Sequence, residues 1–330
     1  VRAALCRTYG GPEVVEVSEV PAPVLEAGQV RVAVHTGAVN FPDVLLIANT
    51  YQVSIPTPFI PGSEFAGAVV EVAGGVEGMT VGDRVFGSTM VGAFAEEVAV
   101  PATSLTRIPP GVDDRVAAAF GVAFRTAYHV LRSVAALKPG EELVILGAGG
   151  GVGTATVQLG AALGATVTAV ASTPGKLEAA RSCGAQRLIA HRDGDLREAL
   201  RAALPSGADV VVDPVGGDLA EPALRSLRWG GRFVTVGYAS GTIPRIPLNL
   251  VLLKGIAILG FQFRDFALHM PDEMARNERE LLGLLEEGRA VPLIGATFDL
   301  SEAAAALRHV AEGHAVGKVV LRVRPEGGSS

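Results

Sequence analysis

The densest chemical signal in the chain is LVILGAGGGVG, residues 143–153, where Ala148, Gly150 and Gly153 stand in the slots of a G-x-G-x-x-G fingerprint, with Ala in the first. Residues this small permit a tight turn after a strand and let the backbone come close to a pyrophosphate. They also let the following helix pack against the strand it leaves, and the helix start offers unpaired N–H groups to an anion. A glycine-rich turn by itself is more often structural than functional, so the fingerprint counts only between an apolar strand and a helix. Both flanks are present, and a dinucleotide site is expected here.

A second group of residues bears on which dinucleotide. Sites for NAD place Asp or Glu about 20 residues on, at the end of the second strand, where the carboxylate accepts from the ribose hydroxyl. Here that strand ends in Ala171-Ser172-Thr173, with Lys176 a turn later and His191-Arg192 after the third strand. No carboxylate is present to repel a 2′-phosphate, and hydroxyl and basic groups are at hand to bind one. Surface charges are usually just solvated, but a missing acid together with added bases favours NADPH.

These residues need a parallel sheet to hold them. From about residue 120 the pattern alternates strand and helix: strands at 143–147, 166–171, 187–190, 209–213, 232–236 and 256–261, with helices at 151–164, 174–183, 194–204 and 218–227. Six strands covered by crossover helices predict an α/β, doubly wound parallel Rossmann domain. Residues 1 to about 120 read instead as short strands broken by turns, among them 30–34, 66–74, 83–87 and 94–100, the texture of a small, mostly β, barrel-like domain. Towards the end, 272–287 reads as a charged helix, 301–312 as an Ala-rich helix with Ser301 as its N-cap, 317–323 as a strand, and PEGGSS as a frayed tail.

The chain's 330 residues suit two domains, and 49% hydrophobic against 19% charged residues supply a buried core rather than a disordered chain. A net charge of −6 argues against a nucleic-acid protein, which needs a basic stripe. Cys6 and Cys183 cannot build a disulfide framework or ligate a structural zinc by themselves. The start, VRAALCRTYGG, lacks the apolar run of a signal peptide, so a cytoplasmic protein is expected. Residues 143–175 carry no charge, but eight glycines interrupt them, and a buried strand–turn–helix–strand unit fits better than a membrane span.

Taken in order, GAVNFPDVL (37–45), PGSEFAGAVVEVAGGV (61–76), VGDRVF (81–86), FRTAYHVL (124–131), GAGGGVG (147–153), the Ser172-to-Lys176 spacing and GKVVL (317–321) resemble the zinc-free quinone reductases of the medium-chain dehydrogenase/reductase superfamily, the zeta-crystallin group. The likeness covers essentially residues 1–323. It implies a chaperonin-10-like, mostly β catalytic domain over 1–122, a six-stranded Rossmann NADP-binding domain over 123–263, a return to the catalytic domain over 264–323 and a flexible tail over 324–330. Zinc enzymes of this architecture carry Cys in the segment that here reads AVNFPD, and Gly-His-Glu where this chain has Gly62-Ser63-Glu64. Asn40 and Ser63 replace neither thiolate nor imidazole, and the six histidines show no ligand spacing, so no metal is expected.

Without a Lewis acid, the reaction that needs least help is hydride delivery from NADPH to an electron-poor quinone or activated alkene. The resemblance implies that Asn40 and Asp43 sit by the cofactor, with Asn40 a donor near the nicotinamide end. It also implies that Tyr51 either donates to the acceptor oxygen or merely packs. Further cofactor contacts implied by it are Thr126, Gly150, Gly151, Val152, Gly237, Tyr238, Phe261, Phe263 and Lys318, which join Gly153, Ser172, Thr173, Lys176, His191 and Arg192 read above from the fingerprint and the strand ends. Phe261 and Phe263 serve equally well as core or interface residues, since the apolar edge strand near 256–261 needs cover, which a homodimer supplies. Leu45 stands where bacterial quinone reductases often have Tyr, which weakens the quinone assignment relative to that of NADPH. The competing readings are a 2-enoyl-thioester reductase and a non-catalytic, crystallin-like NADPH-binding protein.

Overall fold

The computed structural model describes residues 1–324, and the expected frayed tail lies outside them. The chain forms two compact units, Val1–Val122 with the segment from Ile294 onward, and Ala123–Leu293.

In chain order the first segment contains β1 (Arg2–Cys6), β2 (Val15–Glu19), β3 (Gln29–Val39), α1 (Phe41–Ile47), β4 (Glu64–Val72), β5 (Arg84–Ser88), β6 (Glu97–Pro101), β7 (Leu105–Arg107) and α2 (Asp114–His129). The second unit continues with β8 (Glu142–Leu146), α3 (Gly151–Ala162), β9 (Thr166–Ala171), α4 (Pro174–Ser182), β10 (Arg187–Ala190), α5 (Leu196–Ala203), β11 (Ala208–Asp213), α6 (Ala220–Arg225), β12 (Leu227–Thr235), α7 (Asn249–Lys254), β13 (Ala257–Gly260), α8 (Phe263–His269) and α9 (Pro271–Glu286). The described residues end with β14 (Ile294–Asp299), α10 (Ala303–Ala311) and β15 (Lys318–Arg322).

The second unit holds a six-stranded sheet in the order β10-β9-β8-β11-β12-β13, parallel throughout. Its strands are runs of Val, Ile and Leu because both faces are covered; Val144, Leu146, Val170 and Val211 pack with Leu200, Leu224 and Phe233 in one core. Strand order reverses between β8 and β11, and a doubly wound sheet opens a crevice for ligands at the carboxyl ends of such a pair. The uncharged stretch 143–175 is β8, α3 and β9, and no helix among the described residues is long and apolar enough to cross a membrane.

In the first unit, among the described residues, a seven-stranded mixed sheet runs β14-β15-β3-β4-β5-β7, with β6 also pairing β3, beside a two-stranded β1-β2 ribbon. Phe65 and Phe94 anchor its core with Val32, Val34, Val85, Val319 and Leu321. Strand β3 is the spine: β4 and β15 flank it, which brings the last described strand against residues 36–39.

Two expectations need correction. Residues 264–293 do not rejoin the first unit. Helix α9 is tied to α2 by Asn277 Nδ2 donating to His129 Nδ1 (3.0 Å), Tyr128 Oη donating to Glu280 (2.7 Å) and Arg125 pairing with Glu278 (2.8 Å), so the return begins only at Ile294. Ser301 is not the N-cap of its helix. The chain leaves β14 through a 3₁₀ turn, Leu300–Glu302, capped by Asp299, whose backbone N–H donates to the Glu302 carboxylate (3.0 Å).

Candidate active site

In the second unit the fingerprint folds as its composition dictates. Gly147 takes φ +61°, a left-handed turn that a side chain resists, directly after β8. Gly150 caps α3 without a side-chain bond of its own, and Gly151 and Val152 open the helix. A Cβ on Gly153 would lie 2.1 Å from the Gly147 carbonyl oxygen, so only glycine lets α3 seat against the turn. A Cβ on Gly150 would meet that oxygen at an ordinary 3.5 Å; the position is sterically relaxed and lies where the backbone of such motifs approaches phosphate.

The cationic group gathers beside this turn. Thr173 caps α4, its hydroxyl accepting from the Lys176 backbone N–H (3.3 Å), and the Lys176 stem lies against Gly149. The His191 backbone N–H donates to the Ala171 carbonyl (3.1 Å), which sets His191 next to Ser172. Burial first, then the Arg192 guanidinium, lowers the pKa of Lys176. His191 is lowered by burial, then Arg192, with Lys176 adding to it. These groups repel one another, an arrangement that an anion relieves.

Sequence reasoning missed Asp213. It ends β11 at the strand-order reversal, fully buried, with one oxygen accepting the Val215 and Gly216 N–H groups (2.8 Å each). Burial raises its pKa. It shapes a turn whose Val215 leans on Gly147 and whose Gly216 lies against the ring of Tyr238. The signal was available: a lone acid closing the apolar run DVVVD, just before Pro-Val-Gly-Gly.

Gly237 follows β12 and Tyr238 is partly exposed, while Thr126 is half-buried on α2. Phe261 and Phe263 belong to an aromatic cluster with Phe266 around the buried His129, at ring-centroid distances of 6.2, 5.7 and 4.8 Å from it. Core packing, left open by the sequence, is therefore part of their role.

The first unit brings Asn40, Asp43 and Lys318 into one cluster. Asn40 ends β3 and opens α1, its backbone N–H donating to Asp43 Oδ2 (2.7 Å). Lys318, at the start of β15 and 3% exposed, donates to Asn40 Oδ1 (2.6 Å), Glu64 Oε1 (2.5 Å) and, more distantly, the Val39 carbonyl (3.5 Å). Asn40 Nδ2 donates to Glu64 Oε1 (2.9 Å), with Ser63 Oγ at 3.3 Å. The second Glu64 oxygen accepts the Val122 N–H (2.7 Å).

The Lys318 ammonium has three donors and three protein acceptors, and it serves as the internal counter-ion of Glu64. The Asn40 amide donates inwards, to Glu64 and Ser63. Asp43 is fully buried, and burial pushes its carboxyl up to about 7; the Glu64 charge adds to this, while the Asn40 N–H, the Ser63 hydroxyl and Lys318 oppose it. Tyr51 is half-buried against the same core, its phenol raised by burial and then by the Asp43 charge.

Two family models match, "Zinc-binding dehydrogenase" over residues 151–281 and "Alcohol dehydrogenase GroES-like domain" over 26–110. The zinc in the first name has no counterpart in these side chains. Asn40 and Ser63 are not zinc donors, Glu64 is paired with Lys318, and among the described residues no group of three or more His, Cys, Asp or Glu is arranged to hold a metal ion. Quinone oxidoreductase-like protein 2 of Bos taurus is 38% identical over 325 residues, spanning 98% of this chain and 93% of that protein. A segment of polyketide synthase GfsB of Streptomyces halstedii is 38% identical over 304 residues, which is 91% of this chain but 5% of that protein. Among solved structures, the quinone oxidoreductase of Thermus thermophilus, determined also in complex with NADPH, is 32% identical with a TM-score of 0.83, covering 98% of this chain and 100% of its own. The chain thus belongs to the zinc-free quinone-oxidoreductase, zeta-crystallin-like group of the medium-chain dehydrogenase/reductase superfamily.

Proposed function

We propose that the protein is an NADPH-dependent reductase that passes hydride to a quinone or a similar activated carbonyl or alkene, with no metal taking part. The observation that carries this reading is the mutually repelling group Lys176, His191 and Arg192 beside the fingerprint turn, at the end of a second strand that has no carboxylate. The resemblance to a quinone oxidoreductase solved with NADPH supports it.

NADPH, when bound, supplies the hydride. The N–H groups at the start of α3, from Gly150 through Gly153, hold the pyrophosphate. Ser172, Lys176, His191 and Arg192 take the 2′-phosphate, with Thr173 fixing the α4 start that presents Lys176. Thr126, Gly237, Tyr238, Phe261 and Phe263 complete the cofactor set. Tyr51 donates the proton that the reduced acceptor oxygen needs. The half-exposed β13 edge, with the exposed Trp229, Leu252 and Leu253 of the same unit, is assigned to a homodimer.

Binding of NADPH and NADH to the wild-type protein and to Lys176→Ala tests the cofactor reading. A charge-assisted bond is worth about 1.5–3 kcal/mol, so the variant should bind NADPH roughly 10- to 150-fold more weakly and NADH nearly as before. Equal wild-type affinities, or an equal loss of both, would reject the assignment. An enoyl thioester is the second acceptor class, favoured by the likeness to a polyketide synthase segment.

A further inference from the structure

Two helices of the second unit meet over a buried histidine. His129 closes α2 at 0% exposure, and Asn277 of α9, also at 0%, lies against it. The reductase reading uses neither. Past His129 the chain makes a π-helical turn, Val130–Val134, which brings Ser133 to the same Asn277 amide. Turns of this kind recur at functional positions.

The hydrogen bonds fix which atom of that amide faces which neighbour. Arg276 Nε and Nη2 lie 3.1 and 2.9 Å from one amide atom, and a guanidinium only donates, so that atom is Oδ1. Nδ2 therefore faces His129 Nδ1 (3.0 Å) and Ser133 Oγ (2.9 Å) and donates to both. His129 Nδ1 must be a bare acceptor, and the single ring proton sits on Nε2, donated to Glu278 Oε1 (3.3 Å). A second ring proton has no place in this arrangement, because it would set N–H against N–H.

A second set of bonds lies within reach. With the amide turned over, Oδ1 accepts from the charged imidazole and from the Ser133 hydroxyl, which can donate as well as accept. Arg276, now facing Nδ2, must leave. Two acceptors stand on its own helix, Glu273 Oε2 at 3.4 Å from Nη2 and Glu280 Oε1 at 3.9 Å from Nε. The charged ring also has partners. Glu278 pairs with it, and the ring centroids of Phe261, Phe263 and Phe266 stand 6.2, 5.7 and 4.8 Å away, about the range of a cation–π contact.

We propose that Asn277 is a two-position switch worked by the His129 proton: it holds Arg276 while His129 is neutral, and releases Arg276 to Glu273 and Glu280 when His129 becomes an imidazolium. The charge formed at the centre of the three rings then tightens residues 261–266 around it.

The other charged or titratable groups around His129 are already paired: Arg125 of α2 with Glu278, and Tyr128 and Arg132 with Glu280 of α9. Helix α3, packed on the π-helical turn, carries no charged residue, and Arg264, Asp265 and His269 of α8 are exposed. Both ring nitrogens have a way to the surface, Nε2 through Glu278, 27% exposed, and Nδ1 through Asn277 and the half-buried Ser133.

Nitrogen NMR of the full chain reads the switch without cofactor or turnover, so it stands or falls apart from the reductase reading. At about pH 8 the His129 ring should show the Nε2–H tautomer alone. On acidification the His129 ring, the Asn277 amide and the Arg276 Nε should change together in one transition. Hydrogen exchange at residues 261–266, corrected for its intrinsic pH dependence, should slow roughly 2- to 30-fold across it. Asn277→Asp offers an oxygen to both neighbours at once, so it should hold His129 as imidazolium even at about pH 8 and abolish the Arg276 change. Should that variant not fold, Arg276→Met, at a side chain 37% exposed, carries the test. With Oδ1 no longer anchored, the transition should move to higher pH by at least about half a unit. A ring that stays neutral down to about pH 5, a proton taken up with Asn277 and Arg276 unmoved, or variants that behave as the wild type would each overturn the switch.

Discussion

Asp43 gives the first unit a pH-dependent stability whose sign follows from its surroundings. Its folded pKa, about 7, lies above the ordinary carboxylate value near 3.8, so the native state binds the proton more tightly than the unfolded chain does. The associated stabilisation is complete below about pH 4 and is lost as pH rises through about 7. Asp43→Asn removes the titration and keeps an oxygen for the Asn40 N–H. Its stability relative to wild type should therefore rise between about pH 4 and pH 8, by at most roughly 4 kcal/mol, in urea unfolding followed at each pH. A pH-independent difference between the two proteins would contradict the assigned protonation. The resemblance of their segments singled out Asn40, Asp43 and Lys318, which the fold gathers into one cluster, yet their partners were not legible. The contacts of Lys318 to Asn40 and Glu64 span 278 and 254 residues, and nothing local in GKVVL or AVNFPD announces them.

At the scale of elements, the turn between β8 and α3 separates two uses of glycine. Gly153→Ala forces a methyl to 2.1 Å from the Gly147 carbonyl, so α3 must shift. We expect a loss of about 1–3 kcal/mol in stability, read by chemical denaturation, together with weaker NADPH binding. Gly150→Ala meets nothing closer than 3.5 Å and should keep its stability while losing affinity for NADPH, since the methyl stands where the phosphates approach. Both variants behaving alike would remove that distinction. The parallel sheet was readable because runs such as LVIL and DVVVD are buried on both faces and flanked by turn residues. Helix α1 was not read, because FPDVLLI shows no polar face over its seven residues and follows directly from the long strand β3. The end of the second unit was misplaced for another reason. Helix α9 is charged and looks like a surface helix, but its Asn277, Glu278 and Glu280 are spent on α2.

For the molecule as a whole, β13 is a sheet edge with alternate residues half-exposed, and Trp229, Leu252 and Leu253 are 83%, 82% and 74% exposed in the same unit. An apolar edge of this kind invites pairing with a second copy. Sedimentation at micromolar concentration should find two chains per particle, and Leu252→Asp with Leu253→Asp should yield monomers; a monomeric wild type would dismiss this interface. The central claim, NADPH-dependent reduction without metal, is tested most directly by following NADPH oxidation after chelator dialysis against ortho- and para-quinones, enals and enoyl thioesters. Turnover on at least one quinone or enal, undiminished by the chelator and about tenfold or more faster with NADPH than with NADH at subsaturating cofactor, is the predicted result. Silence across the whole panel, or activity that returns only on adding zinc, would contradict it.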